Sequence, residues 1–314
     1  MDVLLLVVLC GGLCYASSES SLEPLTDHVV VLKVPHKVRT EDHVPLVCRN
    51  DNQTQAVFWK KDGVELKPPL QGNQVTVVVE EVDGGNYSCH SSDGQYLNHT
   101  VIFVHVETEK VILREISPEE GYIQCSVPNY SGPFRCSWSR TASRSNAAVL
   151  LLNATRNGRE IPCELDADGS GIQCEEDNCP YKEEQHRIFL TTHIRRYYRL
   201  ETYTKAFYIK DIVRPGALSN LQRSGANVFS WSYPDSWEKP CSFYGLNFQV
   251  KVVRHAQSCD SEAPILGNNT DDTKFEVNVK TKKYVFCVRA QDRYTEGPFG
   301  PWSNCVVNKD DVSC

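Results

Sequence analysis

The chain has 314 residues, 23% of them charged, with a formal net charge of −7. That length suits two to three domains of ~100 residues each. The acidic balance argues against a nucleic-acid partner. The N-terminus runs Val3-Leu-Leu-Leu-Val-Val-Leu-Cys10 and ends in small residues at Tyr15-Ala16. It reads as a signal peptide, residues 1–16, cut after Ala16. No later run approaches the ~20 apolar residues of a membrane span. The expectation is a secreted, extracellular protein that works in solution. Of fourteen cysteines, Cys10 and Cys14 leave with the leader, and the remaining twelve imply a disulfide framework.

Strand signals recur along the chain, with no sustained helical period. They fall at Val29–Val34, Val75–Val79, Thr100–Val106, Phe207–Ile212, Leu246–Val253 and Phe275–Val279, punctuated by Asp, Gly, Asn and Pro. This pattern predicts an all-β chain of tandem antiparallel sandwiches. The first is expected at residues 17–107. Cys48 is followed by Trp59, then by Asp83-Gly-Gly-Asn-Tyr-Ser-Cys89. That string matches the D-x-G-x-Y-x-C corner of immunoglobulin domains. Cys48 and Cys89 would join two sheets, Trp59 would pack on the bridge, and the Tyr87 hydroxyl would tie the corner.

A second sandwich is expected at 108–212. Cys125 and Cys136 have ten residues between them, with Trp138 following as C-x-W. This suits a disulfide across adjacent strands, with the Trp turned into the core. Cys163 and Cys174 repeat the spacing around the turn-rich Leu165-Asp-Ala-Asp-Gly-Ser-Gly171. The basic-aromatic Arg195-Arg-Tyr-Tyr-Arg199 reads as a strand-turn with packed aromatics and solvated arginines rather than a polyanion site.

A third sandwich is expected at 213–314, entered through the Pro/Gly break Val213-Arg-Pro-Gly216, which suits a hinge. Phe229 and Trp231 share one strand face, and Tyr284, Phe286 and Val288 another. Both runs look like fibronectin type III strands. Arg289 then points outward, where its guanidinium could stack on Trp302. Cys287 and Cys305 would face each other across the last two strands, and Cys259 could meet Cys314. With Cys241 also present, spacing alone does not decide these pairings.

Six sequons begin at Asn52, Asn86, Asn98, Asn129, Asn153 and Asn268. Glycans are expected at all except Asn86, which lies within a core-strand pattern. If Cys163 pairs with Cys174, Cys179 is left over in the acidic Glu175-Glu-Asp-Asn-Cys-Pro180 loop, as for a bond to another chain. The plainer reading is an internal bond. A zinc site at Cys174, Cys179 and His186 would need reduced thiolates outside the cell. Asp292 follows the Arg289 strand, with Tyr294 beside it and Tyr130, Phe243 and Tyr244 on loops at the same elbow. A carboxylate rimmed by aromatics suits an incoming Arg or Lys. The plainer alternative is that Asp292 pairs with Arg293 or caps a turn. No catalytic signature and no cofactor motif appears, so no enzyme and no cofactor are expected.

Several strings together carry a family resemblance. They are Asn129-Tyr-Ser-Gly132, Cys174-x4-Cys179-Pro180, Ile209-Lys-Asp-Ile212, Trp231-Ser-Tyr-Pro-Asp-Ser-Trp237, Arg289-Ala-Gln-Asp-Arg-Tyr294 and Phe299-Gly-Pro-Trp-Ser303. The mature chain resembles the soluble class I cytokine-receptor-like beta subunits shared by interleukin-12 and interleukin-23. The resemblance implies one immunoglobulin-like domain and two fibronectin type III domains, the last with a degenerate WSxWS box of Phe299, Trp302 and Ser303. It also implies a four-helix-bundle alpha subunit bound at the elbow of the second and third domains. Cys179 would link it covalently, and Asp292, Tyr130 and Tyr294 would receive one of its arginines. The first domain would contact cell-surface receptor chains. Phe299 replaces the first Trp of the box, and Phe243 stands where Tyr is usual. A soluble receptor or decoy of the same fold is the alternative, and it would have no use for a covalent partner.

Overall fold

The computed structural model describes residues 20–35, 41–49, 56–131, 133–176, 184–237, 241–242, 244–309 and 311–314. The expected leader, Asn52, Cys179 and Phe243 lie outside them. The described chain is almost entirely β, with one single-turn helix at Ile209–Ile212 and one short 3-10 turn at Ala142–Arg144. It divides into two compact units: residues up to Val111 with 195–201, and residues 112–194 with 202–314.

In the first unit, Val57–Lys61, Gly85–Ser91 and Tyr96–Val106 run antiparallel. Val29–Val34 joins Tyr96–Val106 in parallel and pairs on its other edge with Ser21–Thr26. Glu41–Val47 and Gln74–Glu80 form a separate antiparallel pair. Alternation drives the packing. Val44, Leu46, Val77 and Val79 from this pair meet Trp59, Tyr87, Ile102 and Val104 in one apolar cluster. Cys48 and Cys89 are bonded across it. Trp59 lies opposite Cys89 in register and donates Nε1–H to the Gly72 carbonyl at 3.0 Å. Its one polar atom is therefore satisfied inside the core. At the corner, Tyr87 is buried and Lys61 lies over its ring, 5.7 Å from the centroid. Lys61 Nζ also donates to Asp83 Oδ2 at 2.8 Å. In the 195–201 segment, Tyr198 packs near Phe103 and hydrogen-bonds Asp62. Tyr197, at positive φ in the turn, is exposed.

Among its described residues the second unit holds three whole sheets, of four, three and five strands. Cys163–Leu165, Gly171–Cys174, Phe134–Ser137 and Gln124–Ser126 form one sheet in that order. Cys125 sits directly opposite Cys136, and Cys163 opposite Cys174. Both pairs are disulfides. The loop between Cys163 and Cys174 is pinned further: Trp138 Nε1 donates to the Gly169 carbonyl at 3.0 Å. Farther on, Ser219–Arg223, Val228–Ser232 and Lys274–Glu276 form a three-stranded sheet. Leu266–Thr270, Leu246–Arg254, Lys283–Asp292, Ser303–Asn308 and Asp311–Ser313 form a five-stranded one. Phe229 stacks on Phe286 at 4.1 Å between centroids, and Trp231 meets Phe248 edge-on. One apolar cluster runs from Ile112 to Val307 and includes residues of all these sheets.

Three expectations change. The strand expected at Phe207–Ile212 ends at Phe207 and gives way to the helical turn Ile209–Ile212. Glu184 accepts hydrogen bonds from the free Ile209 and Lys210 N–H groups at 2.9 Å each, and Asp211 accepts one from Tyr208 N–H at 3.0 Å. Those carboxylates satisfy the donors that a helix start leaves open, which apolar spacing could not reveal. The supposed hinge at Val213–Gly216 is stitched down: Val127 N–H donates to the Ile212 carbonyl and Arg214 N–H to the Val127 carbonyl.

The third change is in the cysteines. Cys287 bonds Cys259, and Cys305 bonds Cys314, instead of Cys287 bonding Cys305. Register explains this. Cys305 lies opposite Phe286, and Cys287 opposite Asn304. A one-residue offset puts the two sulfurs on opposite faces of the sheet. Cys305 joins the main core, while Cys287 joins Val253, Val285 and Cys259 in a satellite cluster on the other face. Cys241 is disulfide-bonded too.

Candidate partner-binding elbow

Tyr130 sits in the loop between the strands Gln124–Ser126 and Phe134–Ser137, and Asp292 is the last residue of Lys283–Asp292. They are brought together by a ring of short contacts. Tyr130 N–H donates to Ser242 Oγ at 3.1 Å, and Asn129 Nδ2 donates to the Ser236 carbonyl at 2.6 Å. Trp237 Nε1 donates to the Tyr244 carbonyl at 3.0 Å, while its ring meets that of Tyr130 edge-on at 6.0 Å.

The Tyr130 hydroxyl donates to Asp292 Oδ2. Thr295 Oγ1 donates to the same oxygen at 2.8 Å, and Thr295 N–H at 3.3 Å. Tyr294 N–H donates to Oδ1 at 3.1 Å. Asp292 is fully buried, and among the described residues every one of these donors is uncharged. Arg293 turns away to Asp271 at 3.2 Å and to Asn247. Tyr244 and Tyr294 stack at 4.4 Å with planes 10° apart, and Tyr294 is half exposed. Burial first, then the adjoining Asp292 carboxylate, raises Tyr130 well above the ordinary phenol range. Its hydroxyl therefore stays a donor at neutral pH.

The rim expected around an open carboxylate is thus a closed one. Tyr130, Tyr244, Tyr294 and Asp292 are together, but the acid is fully buried and caps the turn that follows it. Pairing with Arg293 does not occur; the turn cap does. Trp237 and Thr295 were not among the expected site residues. Thr295 has only its Asp-x-x-Thr spacing to signal it, a pattern common to many local turns.

Next to the elbow, Arg289 lies between two rings. Its guanidinium carbon is 4.4 Å from the Phe299 centroid and 4.3 Å from that of Trp302. Lys251 adds its ammonium 5.2 Å from the Trp302 centroid. Gln249 Oε1 accepts from Arg289 Nε and Nη2 at 2.9 and 2.7 Å. Ser303 Oγ accepts from Leu218 N–H at 3.0 Å. Phe299 and Trp302 thus each give the guanidinium a ring face. Arg289→Ala should lower stability by about 1–2 kcal/mol through loss of two cation–π contacts. Arg289→Lys should recover only part of that, because an ammonium lacks the stacking plane. Urea unfolding followed by tryptophan fluorescence measures both.

Among the described residues no cluster of His, Cys, Asp or Glu could hold a metal, and no helix is long and apolar enough to cross a membrane. The described residues are almost all β, with the Arg289 guanidinium against the Phe299 and Trp302 rings beside Ser303. Residues 120–196 match the family described as cytokine interleukin-12p40 C-terminus. The chain is 28% identical over 259 residues to interleukin-12 subunit beta of Homo sapiens, covering 74% of this chain and 77% of that one. It is 27% identical over 315 residues to the Marmota monax protein of the same name, covering 92% and 94%. The Lama glama protein of that name is 29% identical over 262 residues, covering 74% and 77%. The resemblance read from the local strings holds: over most of its length, this chain is similar to interleukin-12 beta subunits.

Proposed function

We propose that the chain is a secreted, receptor-like beta subunit of a heterodimeric cytokine of the interleukin-12/interleukin-23 type. The second unit binds a four-helix-bundle alpha subunit at the elbow, and the first engages cell-surface receptor chains to signal in immunity. We assign residues 17–107 to the immunoglobulin-like domain, 108–212 and 213–314 to the two fibronectin type III domains. The observation that carries the reading is Asp292: a buried carboxylate held by uncharged donors, one of them the backbone N–H of Tyr294, whose ring stacks on Tyr244. A partner's guanidinium brought to it would supply the missing counter-charge in a desolvated setting, where such pairs count most.

Cys179, outside the described residues, is the proposed covalent link. The competing outcome is a bond to Cys241 of the same chain, since Cys241 is disulfide-bonded. Co-expression with a four-helix alpha subunit decides between them, by non-reducing gel and peptide mapping. The expected result is one band at the summed mass that Cys179→Ser abolishes, with non-covalent association retained. A Cys179–Cys241 peptide would leave the heterodimer non-covalent and favour the soluble receptor or decoy.

A further inference from the structure

We propose that Asn86 carries an N-linked glycan. Its sequon, Asn86-Tyr-Ser88, lies in a strand whose apolar residues mark it as core, and for that reason no glycan was expected there. The structure reverses that expectation. Along Gly85–Ser91 the odd-numbered residues Gly85, Tyr87, Cys89 and Ser91 are buried, while Asn86 is exposed. Side chains alternate across a strand, so a buried Tyr87 obliges Asn86 to face water. The backbone of Asn86 is anchored to Asp62: its N–H donates to Oδ1 at 3.0 Å and its carbonyl accepts the Asp62 N–H at 2.8 Å. Among the described residues its side-chain amide makes no hydrogen bond, so Nδ2 stands free on a rigid strand.

The other sequons divide sharply. Asn153 and Asn268 are exposed like Asn86. Asn129 is buried, and its Nδ2 is committed to the Ser236 carbonyl at the elbow. Asn98 lies opposite Cys89 on the core side, with Nδ2 donating to the Cys48 carbonyl at 3.0 Å. A glycan leaves the amide one N–H, so what opposes a sugar at Asn129 is its burial. This argues against a glycan at Asn129, and it leaves the proposed partner site bare. Asn52 lies outside the described residues.

In the transfer, the Asn86 amide nitrogen bonds the anomeric carbon of a lipid-diphosphate-linked oligosaccharide. The bond from that carbon to the diphosphate oxygen breaks, the lipid diphosphate leaves, and the amide gives up one proton. Attached there, the glycan covers the outer face of Val57–Lys61 and Gly85–Ser91, so receptor contacts of the first unit lie elsewhere on it. The inference rests on the secretory reading. The test is secretion from animal cells, followed by enzymatic glycan release in ¹⁸O-water, which converts each occupied Asn to labelled Asp. Labelled peptides are expected at Asn86, Asn153 and Asn268, and none at Asn129. Asn86→Gln and Ser88→Ala should each remove one gel-mobility step, while Ser88→Thr should keep it. Label at Asn153 and Asn268 without label at Asn86 overturns the inference and leaves the secretory reading standing. No label at any sequon overturns both.

Discussion

Asp292→Ala, made on a Cys179→Ser background so that no disulfide masks affinity, should weaken alpha-subunit binding by about 2–5 kcal/mol. The loss is large because a cation buried on the partner would keep its desolvation cost and lose its counter-charge. Asp292 also holds its own turn through Tyr294 and Thr295, so alanine strips partners from buried donors within the free subunit, at roughly 1–3 kcal/mol. Asp292→Asn separates the two effects. It keeps the shape and an acceptor for the turn, yet removes the charge. Surface plasmon resonance should show both variants binding far more weakly than the parent, with the unfolding midpoint lowered mainly in the alanine variant. Tyr130→Phe removes one donor and leaves the charge, so its binding should stay close to the parent's. An Asp292→Ala variant that binds within a factor of two of the parent would leave Asp292 as a turn cap and place the anchor elsewhere.

The second large effect is expected in the first unit. Trp59→Ala truncates a buried side chain packed against the Cys48–Cys89 bridge and should cost ~3–5 kcal/mol. Cys48→Ala should cost ~2–5 kcal/mol by releasing the cross-link. Among the described residues the cluster around Trp59 draws on residues from Val30 to Val106, so the damage should stay local. Hydrogen exchange should rise across Val57–Lys61 and Gly85–Ser91, with little change at Lys283–Asp292. Secreted variants should then keep alpha-subunit binding and lose receptor engagement. Equal loss of both activities would show that the two functions do not divide along the chain as proposed.

Much of this architecture was legible in one dimension because its signals are local. A strand's period of two shows in Phe229-Ser-Trp231 and Tyr284-Val-Phe286, and those rings do meet in the core. Cys125 and Cys136 sit directly across a strand pair, so their short spacing sufficed. The aromatic-carboxylate grouping at the elbow was visible as residue types on neighbouring loops, and so was the Arg289–Trp302 stack.

What the tertiary structure decided depends on register and on partners far along the chain. The pairing of Cys287 with Cys259 follows from a one-residue offset between two strands, which spacing does not encode. The turn at Ile209–Ile212 needs Glu184, some 25 residues away. Whether Asp292 is open or closed depends on Tyr130, 162 residues distant. The exposure of Asn86, by contrast, follows by alternation from the inward Tyr87 and Cys89 that the corner string already implied. Composition and periodicity determine that a strand buries one face; only the packed sheet determines which residue stands opposite which, and therefore which polar atoms remain free to meet a partner.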